Sequence, residues 1–121
     1  KSIQENLMLA FIGEKISKLE MQKKMNEALK RVHLDVNLNR KIYTLSGGEA
    51  QRVALAKTIL KDSPIILADE PTASVDQKNS EEIIELILSL KKENKIIIIA
   101  THSPDIYNQV DHILEIKGEQ K

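Results

Sequence analysis

Three stretches of the chain hold residue types whose order and spacing suit work on a phosphate. In the first, Ser46-Gly47-Gly48-Glu49 runs straight into a helical apolar pattern. Ser46 reads as an N-cap, and Glu49, three residues on, completes a capping box. Such a helix start presents free backbone N–H groups and about half a positive charge. The two glycines carry no side chain that would hold an anion away from those amides. Ser-x-x-Glu before a helix is also ordinary capping, so this stretch alone leaves both readings open. In the second stretch, Asp69 and Glu70 directly follow the apolar run Ile65-Ile66-Leu67-Ala68. Carboxylates at that end of a buried parallel strand lie where open α/β sheets bind ligands. The first can hold Mg²⁺ through water, because this ion takes one or two carboxylates plus phosphate oxygens. The second can polarise a water for attack on a γ-phosphate, a contribution of about 10²–10⁴ in rate. The third stretch is Thr101-His102, behind the apolar run Ile96 to Ala100.

The elements that must position these residues follow from periodicity. Ser2 and Glu5 form a second capping box, with Leu7, Met8 and Phe11 as a short apolar face. Ser17 and Glu20 repeat the signal before Met21, Met25, Ala28, Leu29 and Val32, which share one helical stripe. The third helix follows Ser46, with Ala50, Val53, Ala54, Ile59 and Leu60 as its apolar positions, and Asp62-Ser63-Pro64 stops it. Residues 65–68 and 96–99 read as strands covered on both faces. Between them Ile83, Ile84, Ile87 and Leu90 return to helical spacing over 77–92, with Asp76 as a candidate N-cap. Strand, helix, strand makes a βαβ unit with parallel strands. Ser103-Pro104 opens a short helix, and residues 112–116 supply a third strand. The chain thus divides into a helical part, 1–61, and an α/β part, 62–121. Neither is self-sufficient, since two or three buried strands need neighbours on their open edge.

Taken in order, these stretches resemble the ATP-binding cassette (ABC) ATPases. Leu45 to Glu49 is similar to their signature motif, Asp69-Glu70 to the Walker B end, Ala73-Ser74-Val75-Asp76 to the D-loop, and His102 to the switch histidine. The resemblance implies an α/β fold: part of a P-loop NTPase (RecA-like) parallel sheet with the ABC helical subdomain, lacking the Walker A half. It implies that Asp69 serves Mg²⁺, Glu70 is the catalytic base, and His102 contacts the γ-phosphate and orients water. Ser46, Gly47, Gly48 and Glu49 would meet the ATP of a second nucleotide-binding domain in trans, with Asp76 at the interface between the two. His33 and His112 have no such context and read as surface or packing histidines. Two features depart from the family. Position 49 is Glu where Gln is commonest, which places a carboxylate near phosphate; the capping box draws it back toward Ser46. And no Gly-x-x-x-x-Gly-Lys-Ser/Thr loop occurs, since the glycines are only Gly13, Gly47, Gly48 and Gly118. The 121 residues alone are therefore expected to be inactive, and the intact protein to be a transport-coupled ATPase.

Composition narrows the partners. Lys plus Arg and Asp plus Glu number 18 each, a balance that gives no support for a broad basic footprint for nucleic acid or an anionic membrane. The few aromatics, Phe11, Tyr43 and Tyr107, argue against a base-stacking surface. With no cysteine, disulfide frameworks and thiolate metal sites are excluded. The longest apolar run is far too short to cross a bilayer. By resemblance the expected partners are a second nucleotide-binding domain and a membrane permease, contacted near residues 1–15. The place would be the cytoplasmic face of the membrane, and the cargo an exported peptide, lipoprotein or drug. The alternatives are a soluble ABC-type ATPase of translation or DNA maintenance, and a non-enzymatic interaction fragment.

Overall fold

A computed structural model describes residues 1–72, 75–91, 93, 95–101 and 106. Of the expected helix from residue 104 only Ile106 is described, helical and buried; the third strand at 112–116, Ala73, Ser74, His102 and His112 lie outside the described residues. Helix α1 (Ile3–Met8) runs into a 3₁₀ turn at Leu9–Phe11. Helix α2 (Lys18–Arg31), a second 3₁₀ turn (Ile42–Thr44) and α3 (Gly47–Lys61) follow. Strand β1 (Ile65–Asp69), helix α4 (Gln77–Lys91) and strand β2 (Ile96–Ala100) then complete the expected βαβ unit.

Local chemistry sets the helix starts. Both capping boxes form: Ser2 with Glu5, and Ser46 with Glu49. At α2 only half of the pattern is present, the Ser17 hydroxyl accepting from the Glu20 N–H. Helix α3 ends where Asp62 takes a left-handed conformation (φ 49°), which satisfies the last turn before Pro64.

The core is continuous from the helices into the βαβ unit. Ile3, Leu7, Met25, Leu29, Val53, Ala56, Ile83 and Ile87 belong to one buried cluster. The α2 stripe packs as expected, except that Met21 is half-buried. Two apolar assignments are corrected. Met8 is exposed, because the chain turns into the 3₁₀ segment there. On α3 the buried face is Arg52, Val53, Leu55 and Ala56, while Ala50 and Ala54 face outward. A charged residue occupies part of the stripe, so an apolar-only reading rotates the helix.

The strands pair in parallel, Ile65 opposite Ile96 through Asp69 opposite Ala100. The start of this ladder is pinned by Ile96 N–H donating to Pro64 O (2.9 Å) and by the Lys95 ammonium on Asp62 (2.6 Å). Helix α4 buries Ile83, Ile84, Ile87 and Leu90, and Ala68, Ile97 and Ile99 on one face of the sheet pack against the same core. Coverage on both faces is not what is found. Leu67 is 74% exposed and Ile96 62%, with Ile65 and Ile98 also open. These four alternate with the covered residues and so share the opposite face.

Candidate functional site

The site residues fall into two sets. The first is built on the opening turn of α3. Ser46 Oγ accepts from the Glu49 N–H (3.1 Å), and Glu49 Oε1 accepts from the Ser46 N–H (3.0 Å). The Ser46 hydroxyl keeps its own proton for donation, and the first amides of a helix have no intrahelical acceptor. Ser46 and Gly47 are exposed and Gly48 partly so, leaving two amides and a hydroxyl on an accessible, partly positive helix end. That donor set fits a phosphate. At Gly48 an added Cβ would meet Asn79 and Val75 at 3.6–3.7 Å, ordinary contact distances. The fold itself therefore does not demand glycine there.

Asn79 ties this turn to the start of α4. The Asp76 carboxylate accepts from the Asn79 backbone N–H (2.8 Å) and side-chain amide (3.0 Å), which makes Asp76 the N-cap expected of it. Asn79 Oδ1 in turn accepts from Arg52 (2.9 Å), whose guanidinium also reaches the Val32 carbonyl (2.9 Å) and the Glu82 carboxylate. Arg52 is 4% exposed, so its charge is held entirely by these groups. The Asn79 N–H bond, then its side-chain amide, hold the Asp76 carboxyl below its ordinary range. For Glu49 the first cause of a lowered pKa is the Ser46 N–H; the Arg40 guanidinium adds to it, and partial burial opposes it.

Arg52, Asn79 and Arg40 were not among the residues singled out from the sequence. The signal for Arg52 was there: an arginine on the same helical face as Val53 and Ala56 must either break the stripe or find buried partners. Arg40 gave no comparable signal, because its ion pair with Glu49 depends on how the 3₁₀ turn folds back.

The second set lies at the C-terminal ends of the strands. Asp69, the last residue of β1, is exposed. Glu70 adopts φ 45°, a left-handed conformation that costs a non-glycine residue about 1–2 kcal/mol. Its N–H donates to Ala100 O (2.6 Å), so pairing with β2 runs one residue past β1 before the chain turns into the buried Pro71. That turn carries the Glu70 side chain over to Thr101, whose hydroxyl donates to Glu70 Oε2 (3.3 Å). Among the described residues no group of three or more His, Cys, Asp or Glu could hold a metal. A Mg²⁺ at Asp69 would draw its other ligands from water and phosphate. The donor chemistry of one exposed carboxylate fits that ion. His102, the expected third member, lies outside the described residues.

The family model described as ABC transporter matches residues 1–73. The chain belongs to the ABC transporter family. It is 40% identical over 113 residues to the uncharacterized ABC transporter ATP-binding protein YvrO of Bacillus subtilis, covering 93% of this chain and 49% of that protein. With the macrolide export ATP-binding/permease protein MacB of Shewanella sp. (strain ANA-3) it shares 38% over 100 residues, 83% of this chain and 15% of that one. Among solved structures, the dimeric bacterial ABC transporter cassette MJ0796 superposes with a TM-score of 0.80 at 34% identity, over 89% of this chain and 49% of that one. The same cassette in a dimeric post-hydrolysis state bound to ADP and Pi gives 0.78 at 35% identity, over 87% and 47%. The chain thus spans about half the length of these ABC cassettes. Its α/β architecture with a small parallel sheet is theirs.

Proposed function

We propose that the protein carrying this chain is the ATP-binding subunit of an ABC transporter, coupling MgATP binding and hydrolysis to transport. In this reading residues 1–61 form the signature-bearing helical unit and 62–121 part of the ATPase core. Ser46 and the Gly47–Gly48 amides cover the ATP of a second nucleotide-binding domain, and Glu49 holds that turn in its capping box. On its own nucleotide the chain supplies Glu70 as the base that takes a proton from the attacking water. His102 orients that water, and Asp69 holds Mg²⁺, which when bound offsets phosphate charge. Asp76 contributes at the interface between the two domains. The dimeric state of MJ0796 supports the pairing, and the permease-fused name of MacB supports a membrane partner and an exported cargo. No helix among the described residues is long and apolar enough to cross a membrane. In this reading another segment or subunit spans the membrane, with this domain on its cytoplasmic face.

One observation carries the reading: an exposed, fully capped Ser46-Gly47-Gly48 turn and a Glu70 presented at the sheet edge occur in one member of this family. The open face of Ile65, Leu67, Ile96 and Ile98 supports a further part of the cassette packing there. Since a phosphate loop is absent from the 121 residues, the chain alone is proposed to be inactive. The test is steady-state ATP hydrolysis by the full-length protein and by residues 1–121. Glu70→Gln should lower turnover of the former by about 10²-fold or more while ATP still binds. Turnover by the shorter chain, or full activity of Glu70→Gln, would overturn the reading.

A further inference from the structure

The carboxylate of Glu49 sits in the very turn assigned to a phosphate, where a lone negative charge would weaken anion binding. Its neighbours bear on that conflict. Arg40 Nη1 donates to Glu49 Oε2 (3.2 Å), and Nη2 lies 3.4 Å from Oε1. The same guanidinium donates from Nε to Thr44 Oγ1 (3.1 Å) and from Nη2 to Thr44 O (2.9 Å). Its backbone is fixed as well: Arg40 N–H donates to Asn37 O (3.0 Å), and Arg40 O accepts from Ile3 N–H (2.9 Å) at the start of α1. The fork is therefore held in place before any ligand arrives, in a geometry that lysine cannot copy.

We infer that Arg40 is a positioning residue for the nucleotide-covering turn: it neutralises Glu49, so the opening of α3 stays attractive to ATP phosphates although it carries a carboxylate. The inference rests on the function proposed above. With the pair summing to zero, the partial positive charge of the helix end is what remains for the anion. Without Arg40, a full negative charge in the first turn outweighs that partial charge. Glutamine at position 49 would serve the capping box equally well, so Glu49→Gln removes the charge and keeps the geometry.

The test is the KM for ATP of the full-length protein, with Arg40→Ala made alone and in a Glu49→Gln background. Alone, Arg40→Ala should raise KM about tenfold, a rise that falls to about threefold or less at about 0.5 M salt as the repulsion is screened. In the Glu49→Gln background the same change should alter KM by less than about twofold. Arg40→Gln, which removes the charge and keeps an amide donor on a shorter side chain, should repeat the pattern and serves if Arg40→Ala does not fold. Equal effects of Arg40→Ala in both backgrounds would mean that the residue acts only as a staple on Thr44, and would overturn the inference alone. A wild-type protein without ATP turnover would overturn the proposed function and this inference with it.

Discussion

The two regions proposed to carry the chemistry are built by opposite means. At the start of α3 nearly everything is local: Ser46 and Arg40 lie within nine residues of Glu49, and each bonds to it directly. At the strand ends the same precision comes from afar, with Glu70 placed by Ala100 and Thr101, about thirty residues on. The local turn rests on a core whose members are almost all inaccessible, Ile3, Leu7 and Ala56 among them. The strand ends rest on a sheet with one face buried and the other open. The first site is set by contacts short in sequence above a closed core, whereas the carboxylate site inherits the stability of the whole sheet. The first is therefore expected to tolerate changes at a distance, and the second to be sensitive to whatever covers Leu67.

The largest effect that could break this contrast is at Glu70. Removing the proposed base should cost turnover the factor of about 10² or more given above. Glu70→Asn sharpens the point, because asparagine tolerates the left-handed conformation that Glu70 adopts at φ 45°. That variant should lose turnover to a similar degree with an unchanged or raised melting temperature. A melting temperature that falls with activity would mean that Glu70 is mainly a structural residue of the turn.

Next in size is the open sheet face. If the rest of the cassette covers Leu67, Leu67→Asn in the full-length protein should cost about 2–4 kcal/mol of unfolding free energy. A cost within about 0.5 kcal/mol, the range of ordinary surface changes, would show that the face is open there too. Arg52 follows. Arg52→Met keeps the bulk of the side chain but leaves the Val32 carbonyl and Asn79 without this donor. Chemical denaturation should report a loss of about 2–3 kcal/mol. Part of that loss should disappear in an Asn79→Ala background, because both bonds belong to one network.

The two regions were also unequally legible in the sequence. The capping boxes at Ser2 and Ser46, the N-cap at Asp76 and the βαβ order could be read directly, because each is a pattern within a few residues governed by backbone geometry. The partners of Arg52 and Arg40 could not. Arg52 reaches Val32, Asn79 and Glu82, separated from it by 20 to 30 residues, and no periodicity encodes such a contact. The apolar runs at Ile65 and Ile96 looked like strands covered twice over. Composition states what a face needs, and only the packing shows that Leu67 and Ile96 have not found it within the described residues.

The smallest effect tests the local turn by itself. Glu49 titrates below its ordinary range, first because of the Ser46 N–H and then because of Arg40. A carboxylate with a depressed folded-state pKa contributes stability that is fully present above its unfolded-state value. That contribution is lost as the pH falls through the folded-state value. Acidification from neutrality should therefore begin to weaken the α3 cap only below about pH 4.5. Glu49→Gln, which caps without titrating, should flatten the pH dependence of unfolding there by a few tenths to about 1 kcal/mol, the partly exposed pair with Arg40 adding little. The measurement is denaturant unfolding of the full-length protein from about pH 7 down to about pH 3, with Glu49→Gln beside wild type. Identical curves would place the charge of Glu49 outside the stability of the turn. Its capping would then depend on geometry alone, and the carboxyl would titrate alike in the folded and the unfolded chain.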